Sequence, residues 1–152
     1  MKTLCIVPCG KAKIWDKRPD AGPTPAKDVY TGPFATMCRR YALRFHSADW
    51  CIISAKYGFL QPDDRVPGRY EVTFNRKSTQ PISVEDLVEQ AKKTGLLSYD
   101  RVVCVAGSAY VDRCRRVFGE SIVVETLSGC RSQGAMMQKL KQAILAGVPL
   151  IG

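Results

Sequence analysis

Four short apolar runs, at residues 3–7, 50–54, 101–105 and 121–125, decide what this chain can become. Each is rich in Ile, Val or Cys, and most lack the apolar–polar alternation of a strand with one wet face. Such runs suit parallel strands covered on both sides. Stretches with helical periodicity follow them. In 33–46, Phe34, Met37, Cys38, Tyr41 and Phe45 form one stripe, with Arg39, Arg40 and Arg44 elsewhere and Leu43 opposite. In 83–95, Ser83 is the cap, Asp86 stands three residues on, and Ile82 and Leu87 take the staple positions. Val84, Leu87, Val88 and Ala91 supply the buried stripe there, and Gly95 is the stop. Further helices are predicted over 108–118, burying Val111, Cys114 and Phe118, and over 132–146, burying Met136, Met137, Leu140, Ala143 and Ile144. The alternation predicts a single α/β domain over 1–152. It has three layers, with a mainly parallel central sheet of about four strands and helices on both faces. The stretches 8–32 and 55–80 read as long irregular loops, a length usually tied to function or mobility.

Several classes are excluded or made unattractive. No apolar run approaches the roughly 20 residues of a membrane span, and the first residues lack a signal-peptide cleavage pattern. A cytoplasmic chain with no membrane partner is expected. The 7 cysteines are odd in number and contain no C-x-x-C pair, so reduced thiols are expected rather than a disulfide framework or a zinc site. Neither a metal nor a cofactor is expected. His46 is the single histidine, which rules out a multi-histidine centre and leaves chemistry chiefly to Lys, Tyr, Cys, Asp or Glu.

Ligands of open parallel sheets gather beyond the carboxyl ends of the strands. The segments leaving those ends are Pro8-Cys9-Gly10-Lys11-Ala12-Lys13, Ser54-Ala55-Lys56-Tyr57-Gly58, Ala106-Gly107-Ser108-Ala109-Tyr110 and Thr126-Leu127-Ser128-Gly129-Cys130-Arg131. All mix glycine with hydroxyl, thiol or cationic side chains, and the topology converges them on one rim. Gly107-Ser108 at a helix start offers N–H groups to anions, and Cys9-Gly10-Lys11 adds a cation at a sharp turn. Neither is a Walker or Rossmann fingerprint. Cys9 beside lysines is a candidate nucleophile or a small residue filling a turn. Asp63, Asp64 and Glu71 are candidate general bases or members of a solvated turn. The net charge of +9 favours polyanions, and Tyr30, Tyr57, Tyr70 and Tyr110 are suited to stacking on bases.

Val29-Tyr30-Thr31-Gly32, the block Ile53-Ser54-Ala55-Lys56-Tyr57-Gly58-Phe59-Leu60-Gln61-Pro62 with Asp64, and Tyr70 together resemble the YaaA peroxide-stress proteins. The likeness is closer to small uncharacterised phage and bacterial domains related to them. Cys9-Gly10-Lys11, Pro25-Ala26-Lys27-Asp28-Val29-Tyr30 and Ala106-Gly107-Ser108-Ala109-Tyr110 resemble the same families' segments. The match runs in patches, is lengthened at Pro67-Gly68-Arg69-Tyr70, and lies in a chain shorter than full-length YaaA. It implies an α/β core, DNA binding and, through related domains, base modification. The recurring positions it carries over are Cys9, Lys11, Tyr30, Ser54, Lys56, Tyr57, Gly58, Asp64, Tyr70, Gly107, Ser108 and Tyr110.

The expected function is therefore nucleic-acid-directed: an enzyme acting on a base or its N-glycosidic bond, as in DNA modification or repair. Asp64, Lys56 and Cys9 are the expected catalytic residues, with Asp64 activating water or steadying a sugar cation. Gly10, Lys11, Lys13, Tyr30, Ser54, Tyr57, Gly58, Tyr70, Gly107, Ser108 and Tyr110 are the expected binding residues. DNA is the favoured partner, and no protein partner is indicated. Two other readings stay open: a non-catalytic DNA-binding, stress-protective module, and an enzyme for a free nucleotide or nucleoside.

Overall fold

A computed structural model of the chain describes residues 1–150. The apolar runs become strands β1 (Thr3–Pro8), β3 (Trp50–Ser54), β6 (Arg101–Cys104) and β7 (Val123–Glu125). They stand in the order β3-β1-β6-β7 and all pair in parallel. A fifth strand, β4 (Gly58–Leu60), adds antiparallel to β3 with Ile52 opposite Leu60. The sheet is thus five-stranded and mixed, where about four strands were expected. Every residue of β3, and of β1 from Leu4 to Pro8, is buried. Such unbroken burial needs cover on both faces, which explains the absence of alternation in the sequence.

The cover comes from α2 (Pro33–Phe45), α3 (Val84–Lys93), α4 (Ser108–Phe118) and α5 (Gln133–Ala146). Helices α2 and α5 pack as one pair, and α3 and α4 as the other. Cys38, Tyr41, Leu87, Ala91, Val111, Cys114 and Leu140 are the parts of their stripes that the sheet hides most completely. Leu43, opposite its stripe, is 55% exposed. Ser83 caps α3 by accepting from Asp86 N at 3.1 Å. Gly95 follows with φ +75, a left-handed conformation that suits glycine after a helix.

The two stretches read as irregular carry structure of their own. The first contains β2 (Thr24–Pro25) and α1 (Ala26–Val29), and the second contains β5 (Arg65–Val66). Strands β2 and β5 pair antiparallel, so the stretches are bound to each other. A separate bridge joins Lys13 to Tyr30. Elements of two residues fall below anything hydrophobic periodicity can register. The seven thiols are all free, with every one but Cys130 buried. Burial pushes the Cys51 thiol up to about 12 and raises those of Cys5 and Cys38 as well, so these side chains behave as small apolar fillers. Among the described residues, no helix is long and apolar enough to cross a membrane.

The packing makes a direct prediction. Leu87→Ala, at a site with no exposure, should lower the unfolding free energy by about 2–5 kcal/mol. Leu43→Ala should stay within about 0.5 kcal/mol. Urea denaturation of the two variants beside the parent chain checks both.

Candidate active site

The connection after β1 leads to β3 on one side, and the chain then crosses to β6 on the other. The gap between the carboxyl ends of β1 and β6 is therefore the switch point of the sheet, where the following loops part and leave a crevice. A cleft of about 830 Å³ opens there. One wall is the β1 turn from Pro8 to Lys13, and another is the start of α4 from Gly107 to Tyr110. Gly32, Phe34 and Ala35 at the start of α2 form a third. The segment that holds Glu71, Thr73, Asn75, Arg76 and Thr79 closes the remaining side. A smaller hollow of about 300 Å³, bordered by Arg131, adjoins it along Gly107, Ser108, Gln133 and Met136.

Two features make this cleft suited to anions. Among the four long helices, α3 and α5 are capped by the side chains of Ser83 and Ser132, whereas α2 and α4 start at Gly32 and Gly107 without a capping side chain. Both uncapped starts border the cleft, which brings the positive ends of two helix dipoles to it, together with the first-turn N–H groups of α4 and those of α2 after Pro33, which has none. Gly10 packs beside the start of α2, where a Cβ would meet Ala35 Cβ at an ordinary contact distance of 3.6 Å. Lys11 and Arg76, both exposed, add mobile cations to the mouth.

The floor is more constrained. Cys9 Sγ and Tyr110 Oη are 3.3 Å apart, in a hydrogen bond that either can donate. Burial, then the nearby Cys9, raises the Tyr110 phenol well above its ordinary value, so it remains a protonated hydroxyl. Lys13 borders the cleft yet is only 3% exposed. Its Nζ donates to Lys11 O at 3.0 Å and sits 4.6 Å from the Tyr70 ring centroid. An unpaired buried ammonium carries a desolvation penalty of several kcal/mol, and a cation–π contact offsets only about 1–2 kcal/mol of it. Burial accordingly lowers the Lys13 pKa, with Cys9 opposing. The carboxylates nearby are engaged elsewhere. Asp16 and Glu71 both pair with Arg69, at 2.6 and 2.8 Å. The Lys13 backbone N–H and then Arg69 hold the Asp16 carboxyl below its usual range, and Arg69 does the same for Glu71.

Behind this floor lies a buried chain of hydroxyls. Ser54 Oγ accepts from the N–H groups of Lys56 and Tyr57 at 3.2 and 3.1 Å, so its own hydrogen goes to Tyr70 Oη at 2.8 Å. Tyr70 Oη in turn lies 2.5 Å from Tyr30 Oη. Burial pushes the Tyr30 phenol up to about 12 and raises Tyr70 further, keeping both neutral. Tyr70 thereby pins the second long stretch to the end of β3 and to the first long stretch. Four residues later Phe74 is held edge-on to Tyr110 and under Arg113, so the wall between Tyr70 and Phe74 is fixed at both ends.

The structure brings together on this cleft Cys9, Gly10, Lys11, Lys13, Gly107, Ser108 and Tyr110 from the expected residues. The others lie elsewhere. Tyr30 and Tyr70, expected to bind or to stack on a base, are 1% and 6% exposed and spend their hydroxyls on each other. Ser54 is buried in the same chain. Lys56 is exposed and sits over the rings of Tyr57 and Tyr70, outside the lining. Tyr57 meets Tyr70 edge-on. Gly58, at φ +77, makes the turn into β4 and packs against Gln90, which donates to Tyr57 O and accepts from Phe59 N. Asp64 closes a turn by accepting from Gln61 N at 2.8 Å and is not part of the cleft. The reason is local: a hairpin, not a helix, follows β3, and it carries residues 54–64 away from the switch point. Sequence reasoning missed Phe34, Thr73, Asn75, Arg76, Thr79, Gln133 and Met136. The glycine before Pro33 was the available signal for the α2 start, whereas nothing local marks the 73–79 wall.

The model of the Family of unknown function (DUF6884) matches residues 4–142. The chain is 42% identical over 145 residues to "Uncharacterized protein YfjM" of Bacillus subtilis (strain 168), covering 95% of this chain and 96% of that protein. No solved structure matches the chain. These findings correct the resemblance to YaaA proteins, because the family that spans nearly the whole chain is a different one. The patches behind that resemblance sit largely at strand ends, where any parallel sheet needs small and polar residues.

The hydroxyl chain predicts an asymmetry between two neighbouring tyrosines. Tyr70→Phe leaves both Ser54 and Tyr30 without their shared partner and should cost about 1–3 kcal/mol of stability. Tyr57→Phe, which removes no recorded hydrogen bond, should cost less than about 0.5 kcal/mol. Thermal unfolding of both variants measures the difference.

Proposed function

The chain belongs to the Family of unknown function (DUF6884), and we propose that it is an enzyme that binds one phosphate-bearing nucleotide in the switch-point cleft and acts on its base or N-glycosidic bond. The observation that carries this reading is the meeting of two uncapped helix starts with Lys11 and Arg76 across one cleft of about 830 Å³. Oriented N–H groups at helix starts suit phosphate oxygens, and the volume suits a ligand of nucleotide size. Phe34 and Tyr110 supply apolar surface for the base or sugar on the walls. Cys9 Sγ, hydrogen-bonded to Tyr110, is the nucleophilic atom of the floor. Glu71, kept ionised by Arg69, takes the part expected of Asp64, that of steadying a developing sugar cation.

A single nucleotide is favoured over a long strand because the anion-binding features meet at one cleft, while several outer arginines are held by groups of the same chain. Arg39 donates to Tyr30 O and Arg113 to Ala109 O. Arg115 pairs with Glu125, Arg116 with Asp112, and Arg69 with Asp16 and Glu71. A strand would have to present its nucleotide turned out of the stack to reach the same floor.

Titration with adenosine monophosphate and with a single-stranded oligonucleotide at rising salt tests the reading. Affinity for the nucleotide should fall gently, and Lys11→Ala and Arg76→Ala should each weaken it about fivefold to tenfold. Mass spectrometry should detect base release that Cys9→Ala or Glu71→Gln abolishes while binding persists. A loss of about 10³ or more in oligonucleotide affinity between 50 and 200 mM salt, with no nucleotide binding, would shift the reading to nucleic acid. Binding of neither ligand would discard it.

A further inference from the structure

We propose that Lys13 is the inner anchor of the cleft, an ammonium left short of counter-charge until the phosphate of a bound nucleotide supplies it. The inference rests on the nucleotide reading and deepens it by naming the group that recognises the phosphate at the floor. Lys13 borders the cleft at 3% exposure, and its Nζ has one recorded acceptor, the Lys11 carbonyl. An ammonium has three donors, so two remain for a ligand. The charged and titratable groups around it are Cys9 from the same turn, Asp16 and Lys11 from its own stretch, and Arg69, Tyr70 and Glu71 from the opposite one. Asp16 and Glu71 are the two anions among them, and Arg69 holds both. Asp16 gives its other oxygen to the Lys13 backbone N–H at 2.9 Å. Among the described residues no carboxylate pairs with Lys13 Nζ. Tyr70 faces it with the ring, because the hydroxyl is spent on Ser54 and Tyr30. The fold therefore buries a cation, assigns its natural partners to Arg69, and leaves a cavity beside it.

This arrangement couples the ligand to a proton. Burial lowers the Lys13 pKa in the free protein, and a phosphate alongside raises it again. Between the two values, binding takes up a proton. Affinity falls as pH rises through the bound-state value, and below the free-state value this group contributes no pH dependence. The second phosphate ionisation, near pH 6, lies under this range.

The test is calorimetric titration of the full chain with adenosine monophosphate and, separately, inorganic phosphate. Runs at about pH 7.5 to 10 in pairs of buffers with different ionisation enthalpies give the protons exchanged over the lysine range. The parent chain should take up protons on binding in the alkaline part of the range and lose affinity there. Lys13→Met should weaken adenosine monophosphate about tenfold or more and abolish the uptake. Lys13→Arg should retain binding and flatten the alkaline decline, since a guanidinium does not titrate there, and this variant decides the matter if the methionine variant fails to fold. Unchanged nucleotide affinity in a folded Lys13→Met chain, or an alkaline profile in Lys13→Arg identical to the parent's, would overturn the anchor and leave the nucleotide reading standing. Inorganic phosphate bound through Lys13, with no binding of the nucleotide, would keep the anchor and remove the nucleotide. Binding of neither overturns both.

Discussion

The position of β1 between β3 and β6 is the constraint from which the site follows. A parallel sheet can place its first strand internally only if the chain departs to one side and later crosses to the other. The loops leaving β1 and β6 then diverge, and the gap between them cannot be filled by the backbone of either. The turns at Gly10, Gly32 and Gly107 edge the gap, and α2 and α4 begin there. The cleft is thus a consequence of strand order, and what the sequence adds is the chemistry of its lining.

A second layer of organisation depends on Tyr70. The two long stretches together span much of the first half of the chain, yet they are held by few main-chain bonds, chiefly the short β2–β5 pair. Tyr70 Oη joins Ser54 on the sheet to Tyr30 on the other stretch, and its ring meets Lys13 and Tyr57. The side chain thus locks the wall bearing Glu71 against the floor bearing Cys9 and Lys13. Conserving hydroxyl protons across this chain requires all three groups to stay neutral, which their burial enforces.

Where periodicity carried the information, the sequence was legible. The apolar runs at 3–7, 50–54 and 101–105 and the helical stripes bearing Cys38, Leu87, Val111 and Leu140 correspond closely to the elements formed, because continuous burial and amphipathic spacing are the physical causes of those elements. The turns after β1 and β6 were legible as well, since the switch-point rule predicts where they converge. The block from Ser54 to Asp64 was not. Its glycine, lysine and tyrosine look like a rim segment, but an antiparallel hairpin follows β3, and hairpin geometry is set by pairing partners that local sequence does not name. The Tyr30 and Tyr70 rings failed as binding groups for a related reason. An aromatic with a hydroxyl reads alike whether it faces solvent or satisfies a buried partner. The wall from Thr73 to Thr79 was invisible because contacts far along the chain, Phe74 on Tyr110 and Arg113, hold it in place.

The cations of this chain fall into two populations, and the difference bears on recognition more than the total of +9 does. Six of the twelve arginines, Arg39, Arg65, Arg69, Arg113, Arg115 and Arg116, are held by carboxylates or carbonyls of the same chain, and the three that meet carboxylates offer a polyanion less unspent charge. Around the cleft the arrangement is reversed. Asp16 and Glu71 are paired with Arg69, two helix starts are left uncapped, and Lys13 is buried at the edge of the cleft. On the nucleotide reading, the bound phosphate supplies the counter-charge that these features lack. A surface selected only for general attraction to nucleic acid has no reason to withdraw its carboxylates from one buried lysine. On the nucleotide reading, the counter-charge missing beside Lys13 becomes selectivity for one anion when that anion binds.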